Sequence, residues 1–167
     1  MALNKATPWS IEFGLVDQNA LELLASRLAL LAKARDVITL EGPLGIGKTV
    51  FARAFIHSIA SGYGYKRPLV DSPTYTLVQV YDFPEIDVYH ADLYRISSFD
   101  ETAELGLEEA FDRAVTLIEW PDRMAGALPS QRLDLILSPG RKSKGRVVRM
   151  SGAEKWHDSL ELLRNEK

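Results

Sequence analysis

Cysteine is absent from the 167 residues, which excludes disulfides, thiolate metal sites and a cysteine nucleophile. A strong charge of either sign is also missing. Twenty Lys and Arg against 23 Asp and Glu leave a net −3, so no global field draws the chain towards nucleic acid. The longest apolar run, Leu28 to Ala32, is bracketed by Arg27 and Lys33, far short of the ~20 residues that a membrane span needs. The first nine residues contain no apolar signal-peptide core. Repeats, low-complexity tracts and linkers are likewise missing. These absences leave a single domain over residues 1–167, expected in the cytoplasm and large enough to bury roughly 70% of its unfolded surface.

The most informative feature present is Gly-Pro-Leu-Gly-Ile-Gly-Lys-Thr at 42–49, a complete G-x-x-x-x-G-K-[ST] phosphate loop. It follows a β-branched run, Asp36 to Leu40, and precedes a helical pattern, Val50 to Ile56. That strand–loop–helix context is what the motif requires. Gly42 and Gly47 allow a backbone path that a Cβ would obstruct. The backbone of Leu44, Gly45, Ile46 and Gly47, continuing into Val50, is expected to converge on a polyphosphate at the positive end of the helix dipole. Lys48 would set its charge against the β- and γ-phosphates, and the Thr49 hydroxyl would enter the shell of a Mg²⁺ ion. ATP and Mg²⁺ are therefore the expected cofactors.

Around this motif the pattern alternates strand and helix. Trp9 to Phe13 reads as an opening strand, and Asp17 as the cap of a helix with a stripe at Leu21, Leu24, Leu28 and Leu31. Tyr75 to Tyr81 and Asp87 to Asp92 have strand composition with only five residues between them, too few for a parallel crossover, so they should pair antiparallel. Ser98-x-x-Glu101 predicts a capping box opening an acidic helix to about Leu105. Ala114 to Ile118 reads as a second buried strand, Arg132 to Leu137 with Arg146 to Met150 as a hairpin, and Ala153 to Leu163 as a last helix. The fold class is α/β: a P-loop NTPase with a mixed sheet, a parallel core, antiparallel additions and helices on both faces.

Nucleotide hydrolysis needs a carboxylate at the metal and a group that orients the attacking water. Glu119 ends a strand and should emerge at the carboxyl edge beside the phosphate loop; the plain alternative is an ordinary strand-end charge. Asp92 also ends a strand and is a candidate for holding a metal-bound water or aligning the nucleophile, or else a turn carboxylate. Arg95 reads either as a partner for the γ-phosphate or as half of an ion pair. The hydroxyls of Ser72-Pro-Thr-Tyr-Thr76 can sense a γ-phosphate as switch segments do, which makes Thr74 a candidate. Trp120 either covers the nucleotide or belongs to the core. His90, inside a strand pattern, reads as packing or hydrogen bonding rather than as a base. Arg141, Lys142, Lys144, Arg146 and Arg149 crowd into nine positions, either as a solvated turn or as a contact to RNA phosphate.

Five ordered blocks carry a family resemblance: the phosphate loop 42–49, Ser72-Pro-Thr-Tyr-Thr-Leu-Val78, Tyr89-His-Ala-Asp-Leu-Tyr-Arg95, Glu104-Leu-Gly-Leu-Glu-Glu109 and Leu117-Ile-Glu-Trp-Pro121. Over roughly residues 9–140 the chain resembles the TsaE (formerly YjeE) family, the bacterial ATPases of threonylcarbamoyladenosine (t6A) formation on tRNA. The resemblance implies an ATPase acting with the TsaB–TsaD heterodimer, which modifies adenosine 37, with tRNA met through that complex. It also implies that Lys48 and Thr49 serve phosphate and Mg²⁺, Glu119 the metal, Asp92 hydrolysis and Thr74 the switch. The family's N-terminal helix touches the base, which falls near Asp17 or Gln18 by spacing. Pro43 stands where an acidic residue is common, and Val50 where a second Thr often follows; the tail beyond about Ser138 matches no pattern of the family. Two other readings stay open. One is a small-molecule kinase, disfavoured by antiparallel strands where a helical lid is usual. The other is a nucleotide-gated binding module with negligible turnover.

Overall fold

A computed structural model describes residues 9–124, 126–140 and 145–165. One seven-stranded sheet runs through the molecule in the order β1-β7-β6-β2-β5-β4-β3. Its strands are β1 (Ile11–Leu15), β2 (Val37–Glu41), β3 (Val78–Asp82), β4 (Asp87–Asp92), β5 (Val115–Glu119), β6 (Leu133–Pro139) and β7 (Arg146–Gly152). The centre, β6-β2-β5-β4, is parallel, while β3 pairs antiparallel with β4, and β7 antiparallel with both β6 and β1. This is the expected parallel core with antiparallel additions.

The central strands are apolar on both faces, as β2 (Val-Ile-Thr-Leu) and β5 (Val-Thr-Leu-Ile) illustrate, because helices cover both sides. On one face lie α1 (Gln18–Ala29) and α2 (Lys48–Gly62), packed with Ile38, Leu40, Val88, Val115 and Leu117. Phe51 and Phe55 of α2 are fully buried there, each worth about 1.5–3 kcal/mol by transfer from water. On the other face Leu107 of α4 (Leu107–Phe111) packs with Val37, Ala91 and Ile118, alongside Ile96 and Met124. Alternation along the strands therefore assigns a side to each residue: Val88, His90 and Asp92 share a face with Val115, Leu117 and Glu119, and that face is the one under α2.

Several expectations shift at their boundaries, each for a local reason. Asp17 does cap α1, its carboxylate accepting the Ala20 N–H at 2.8 Å, but Leu31 lies past the helix end. The strand expected from Tyr75 begins only at Val78. Residues 74–77 instead form a turn with Leu77 at φ 65°, because the hydroxyls before it are held by Asp92. The Ser98 hydroxyl donates to the Glu101 carboxylate at 3.1 Å and accepts no backbone N–H of the helix start, so the reciprocal capping box does not form. Its helix, α3 (Phe99–Ala103), is short, and Gly106 at φ 68° turns the chain into α4. The last helix starts with a 3-10 turn, Glu154–Trp156, before α5 (His157–Asn165). Among the described residues no helix is long and apolar enough to cross a membrane.

Replacing Asp17 with Ala should cost about 1 kcal/mol of stability, since one N–H at the start of α1 loses its acceptor. Urea unfolding at neutral pH would check this; an unchanged midpoint would mean that water replaces the cap at no cost.

Candidate functional site

Parallel pairing brings three chain segments to one sheet edge. Leu40 and Asp92 both stand opposite Glu119 in the register, and the phosphate loop leaves β2 immediately beyond. The loop turns sharply: Gly42 has φ 148° and Gly47 φ 117°. A Cβ on Gly42 would sit 2.5 Å from the Leu137 carbonyl oxygen, and one on Gly47 2.9 Å from Leu21 Cδ2, so both positions demand glycine. Gly47 is the N-cap of α2 and offers no side-chain cap. The first N–H groups of a 15-residue helix thus point into the cleft without a side-chain acceptor, an arrangement suited to an anion.

The side chains converge on the same place. Lys48 is buried, and its ammonium donates to the carbonyls of Gly42 (2.6 Å) and Pro43 (3.0 Å), 4.0 Å from the centre of the Trp120 ring. Burial lowers its pKa below the ordinary lysine range, and the charges of Glu119 and Asp92 push it part of the way back. The Thr49 hydroxyl donates to Glu119, 2.9 Å from Oε1 and 3.2 Å from Oε2. Its proton is thereby committed and its lone pairs remain for a cation. On the neighbouring strand Asp92 Oδ2 accepts from the hydroxyls of Ser72 (2.6 Å) and Thr74 (2.8 Å), and Oδ1 accepts the Tyr94 N–H at 3.0 Å. Trp120 directly follows Glu119, adopts φ 60° and meets the Tyr94 ring at 5.0 Å between centroids. A left-handed tryptophan is strained, and such strain concentrates at binding sites. The cleft, open to solvent, measures about 400 Å³.

Glycine turns, a helix start without a side-chain cap, a buried lysine and a hydroxyl on a strand-end carboxylate together have the geometry of a P-loop. Residues 15–148 match the family model described as "Threonylcarbamoyl adenosine biosynthesis protein TsaE". The chain belongs to the TsaE family. A Bacillus subtilis protein named tRNA threonylcarbamoyladenosine biosynthesis protein TsaE is 39% identical over 123 residues, 73% of each chain. A Rickettsia bellii protein of the same name is 38% identical over 113 residues, covering 68% of this chain and 76% of its own. The crystal structure of Bacillus subtilis YdiB superposes with a TM-score of 0.76 at 28% identity, covering 98% of this chain and 100% of that one. The TsaE match runs to residue 148 and the structural one across nearly the whole chain, so the segment beyond about residue 140, outside the resemblance of the five blocks, is part of the shared fold.

The expected residues fall in three groups. Leu44, Gly45, Gly47, Lys48, Thr49 and Val50 line the cleft, as do Thr74, Asp92, Glu119 and Trp120. Ile46 packs at the edge of the core behind the loop. Gln18 stands in the first turn of α1 with its amide donating to Glu22 at 2.8 Å, and does not line the cleft. Arg95 lies over the Tyr75 ring, 4.9 Å from its centroid, in an adjoining hollow. Of the basic cluster, Arg141, Lys142 and Lys144 lie outside the described residues. Arg149 pairs with Glu12 on β1 at 2.8 Å. Arg146 approaches the phosphate loop, its Nε 3.5 Å from where a Gly47 Cβ would stand. Ser72, expected only as part of the hydroxyl segment 72–76, lines the cleft beside Thr74, whereas Tyr94 and His90 were not expected as site residues. Strand parity was the available signal for His90, since it lies two positions before Asp92 on the same face.

Because burial depresses Lys48 and a polyphosphate would favour its charged form, ATP should bind best below the lowered pKa of the free protein. Affinity should fall as pH rises through that value, at lower pH than an ordinary lysine would dictate, and the complex should take up protons in that window. Calorimetry in buffers of different ionisation enthalpy between neutral pH and about pH 10 measures both, and a flat profile would remove Lys48 from phosphate binding.

Proposed function

We propose that this chain binds ATP with Mg²⁺, hydrolyses it slowly by itself, and serves t6A formation on tRNA together with the TsaB–TsaD pair. The observation that carries the nucleotide part is the uncapped start of α2 beside the Thr49–Glu119 hydrogen bond. The biosynthetic part rests on family membership, since the TsaE relatives are named for threonylcarbamoyladenosine biosynthesis.

The residues present fit a triphosphate and a hard cation. Among the described residues no cluster of three or more His, Asp or Glu side chains could hold an ion unaided. That suits Mg²⁺, which is normally held by one or two protein oxygens plus substrate phosphates and water. Thr49 would contribute its hydroxyl oxygen, and Glu119 would accept from that hydroxyl or from a bound water. When bound, the ion neutralises charge developing on the phosphates. Lys48 would exchange its two loop carbonyls for phosphate oxygens, which are stronger acceptors for an ammonium. The N–H groups from Gly45 to Val50 would supply the remaining donors, at the positive helix end.

Asp92 is the residue suited to align the attacking water. It faces the cleft from the strand next to Glu119, and among the described residues its Oδ2 bonds to the hydroxyls of Ser72 and Thr74 alone. A γ-phosphate that attracted either hydroxyl would release that oxygen to a water. The Ser72–Thr76 segment would thus couple phosphate sensing to water positioning. Among the described residues no arginine lines the cleft, so turnover should be slow until a partner completes the site.

Glu119→Ala should weaken Mg²⁺-dependent ATP binding at least tenfold while sparing metal-free binding, by calorimetry with Mg²⁺ or with EDTA; parallel losses would deny Glu119 a metal role. Asp92→Asn should keep ATP affinity within about threefold and lower hydrolysis by a factor on the order of 10² or more. Comparing hydrolysis with and without TsaB–TsaD tests the partnership: no stimulation and no co-purification would refute it.

A further inference from the structure

We propose that His90 is the positioning residue of the metal carboxylate, holding Glu119 in the one orientation in which Thr49 can both donate to it and offer a lone pair to Mg²⁺. This rests on the nucleotide reading above and adds a residue to it.

His90 is fully buried, at 0% exposure, on β4. Register places it opposite Leu117, one same-face step back from the Asp92–Glu119 rung. From there its Nε2 reaches Glu119 Oε1 at 2.9 Å. A carboxylate accepts only, so Nε2 carries the proton and donates. Among the described residues Nδ1 has no partner, and it has no exposed surface, so the one polar contact they offer the ring is Glu119.

The geometry around Glu119 explains why the contact is needed. Glu119 is 2% exposed and stands at the end of β5 beside Lys48, Thr49 and Asp92. Its side-chain donors on the described residues are Thr49 and His90, both on Oε1 at 2.9 Å, with Thr49 also 3.2 Å from Oε2. Thr49 sits on α2 and His90 on β4, so the two approach from different elements. Together they fix the plane of the carboxyl group; Thr49 alone would leave it free to turn. Lys48 lies close enough to feel the Glu119 charge, so an unrestrained carboxylate would turn towards the ammonium. The metal would lose its acceptor and the phosphates would lose their lysine. A merely packed core histidine would have no reason to spend its one hydrogen bond on the carboxylate that holds Thr49.

The test compares three variants of the whole chain by titrating ATP calorimetrically with Mg²⁺ and with EDTA, after thermal melts confirm folding. His90→Leu removes the donor, and His90→Asn keeps polarity but falls short of Glu119; both should lose about tenfold of the affinity that Mg²⁺ adds, with EDTA values within about twofold of wild type. His90→Gln places an amide nitrogen near the Nε2 position and should recover most of the loss. Should His90→Leu fail to fold, His90→Asn carries the same expectation. The proposal is overturned if Mg²⁺ enhances ATP binding as much in the loss variants as in wild type, if Gln fares no better than Asn, or if affinity drops equally with and without metal. Wild type binding ATP in neither buffer would instead overturn the nucleotide reading itself.

Discussion

Gly47 starts α2 without a side chain to cap it, and the electrostatics of the cleft follow from that deficit. Backbone N–H groups at a helix start must find acceptors, and here the N-cap residue has no side chain to supply one. Lys48 sits in the same first turn and satisfies its ammonium with the loop's own carbonyls. The helix start and the Lys48 ammonium thus set donors side by side at the cleft, an arrangement suited to an anion. Carboxylates stand one layer deeper, on β4 and β5, where they engage hydroxyls, the Tyr94 N–H and an imidazole rather than the backbone N–H groups of the helix start.

That layering is a consequence of parallel pairing. In the parallel centre of the sheet all strands end on one edge, so Glu41, Asp92 and Glu119 emerge together with the loop after β2. The antiparallel strands at both flanks add coverage without disturbing this edge. The hairpin of β6 and β7 returns Arg146 to the back of the phosphate loop, while β3 hands the chain from the Ser72–Leu77 turn into the sheet. Backbone strain at Trp120 and Leu77, both left-handed and neither glycine, falls on the two segments that border the cleft. Buried neighbours hold these residues in conformations they would otherwise leave.

Composition and short-range pattern carried a large part of this architecture. The phosphate loop is written in consecutive residues because its geometry is local: two glycines, a lysine and a threonine act through the backbone they sit on. Strands β2 and β5 show as apolar runs since both faces are covered, and the five-residue gap before Asp87 forces an antiparallel pair. Boundaries were less legible where tertiary contacts overrode propensity. Tyr75 to Leu77 has strand composition, yet Asp92 holds the preceding hydroxyls and keeps the segment in a turn. Ser98 has the spacing of a capping box, yet its hydroxyl goes to the Glu101 side chain.

The chain by itself determined the chemistry of the site, because the glycine-rich loop, Thr49 and two strand-ending acids define what can be bound whatever surrounds them. Only the folded sheet decided how those groups meet. The pairing of β4 with β5 joins His90 to Glu119 across 29 positions of sequence, and the turn before β3 joins Ser72 and Thr74 to Asp92 across 20 and 18. Hydrogen bonds of that reach depend on register and on which face each residue takes. Those are set by the packing of α2 against the sheet, and no local pattern encodes them.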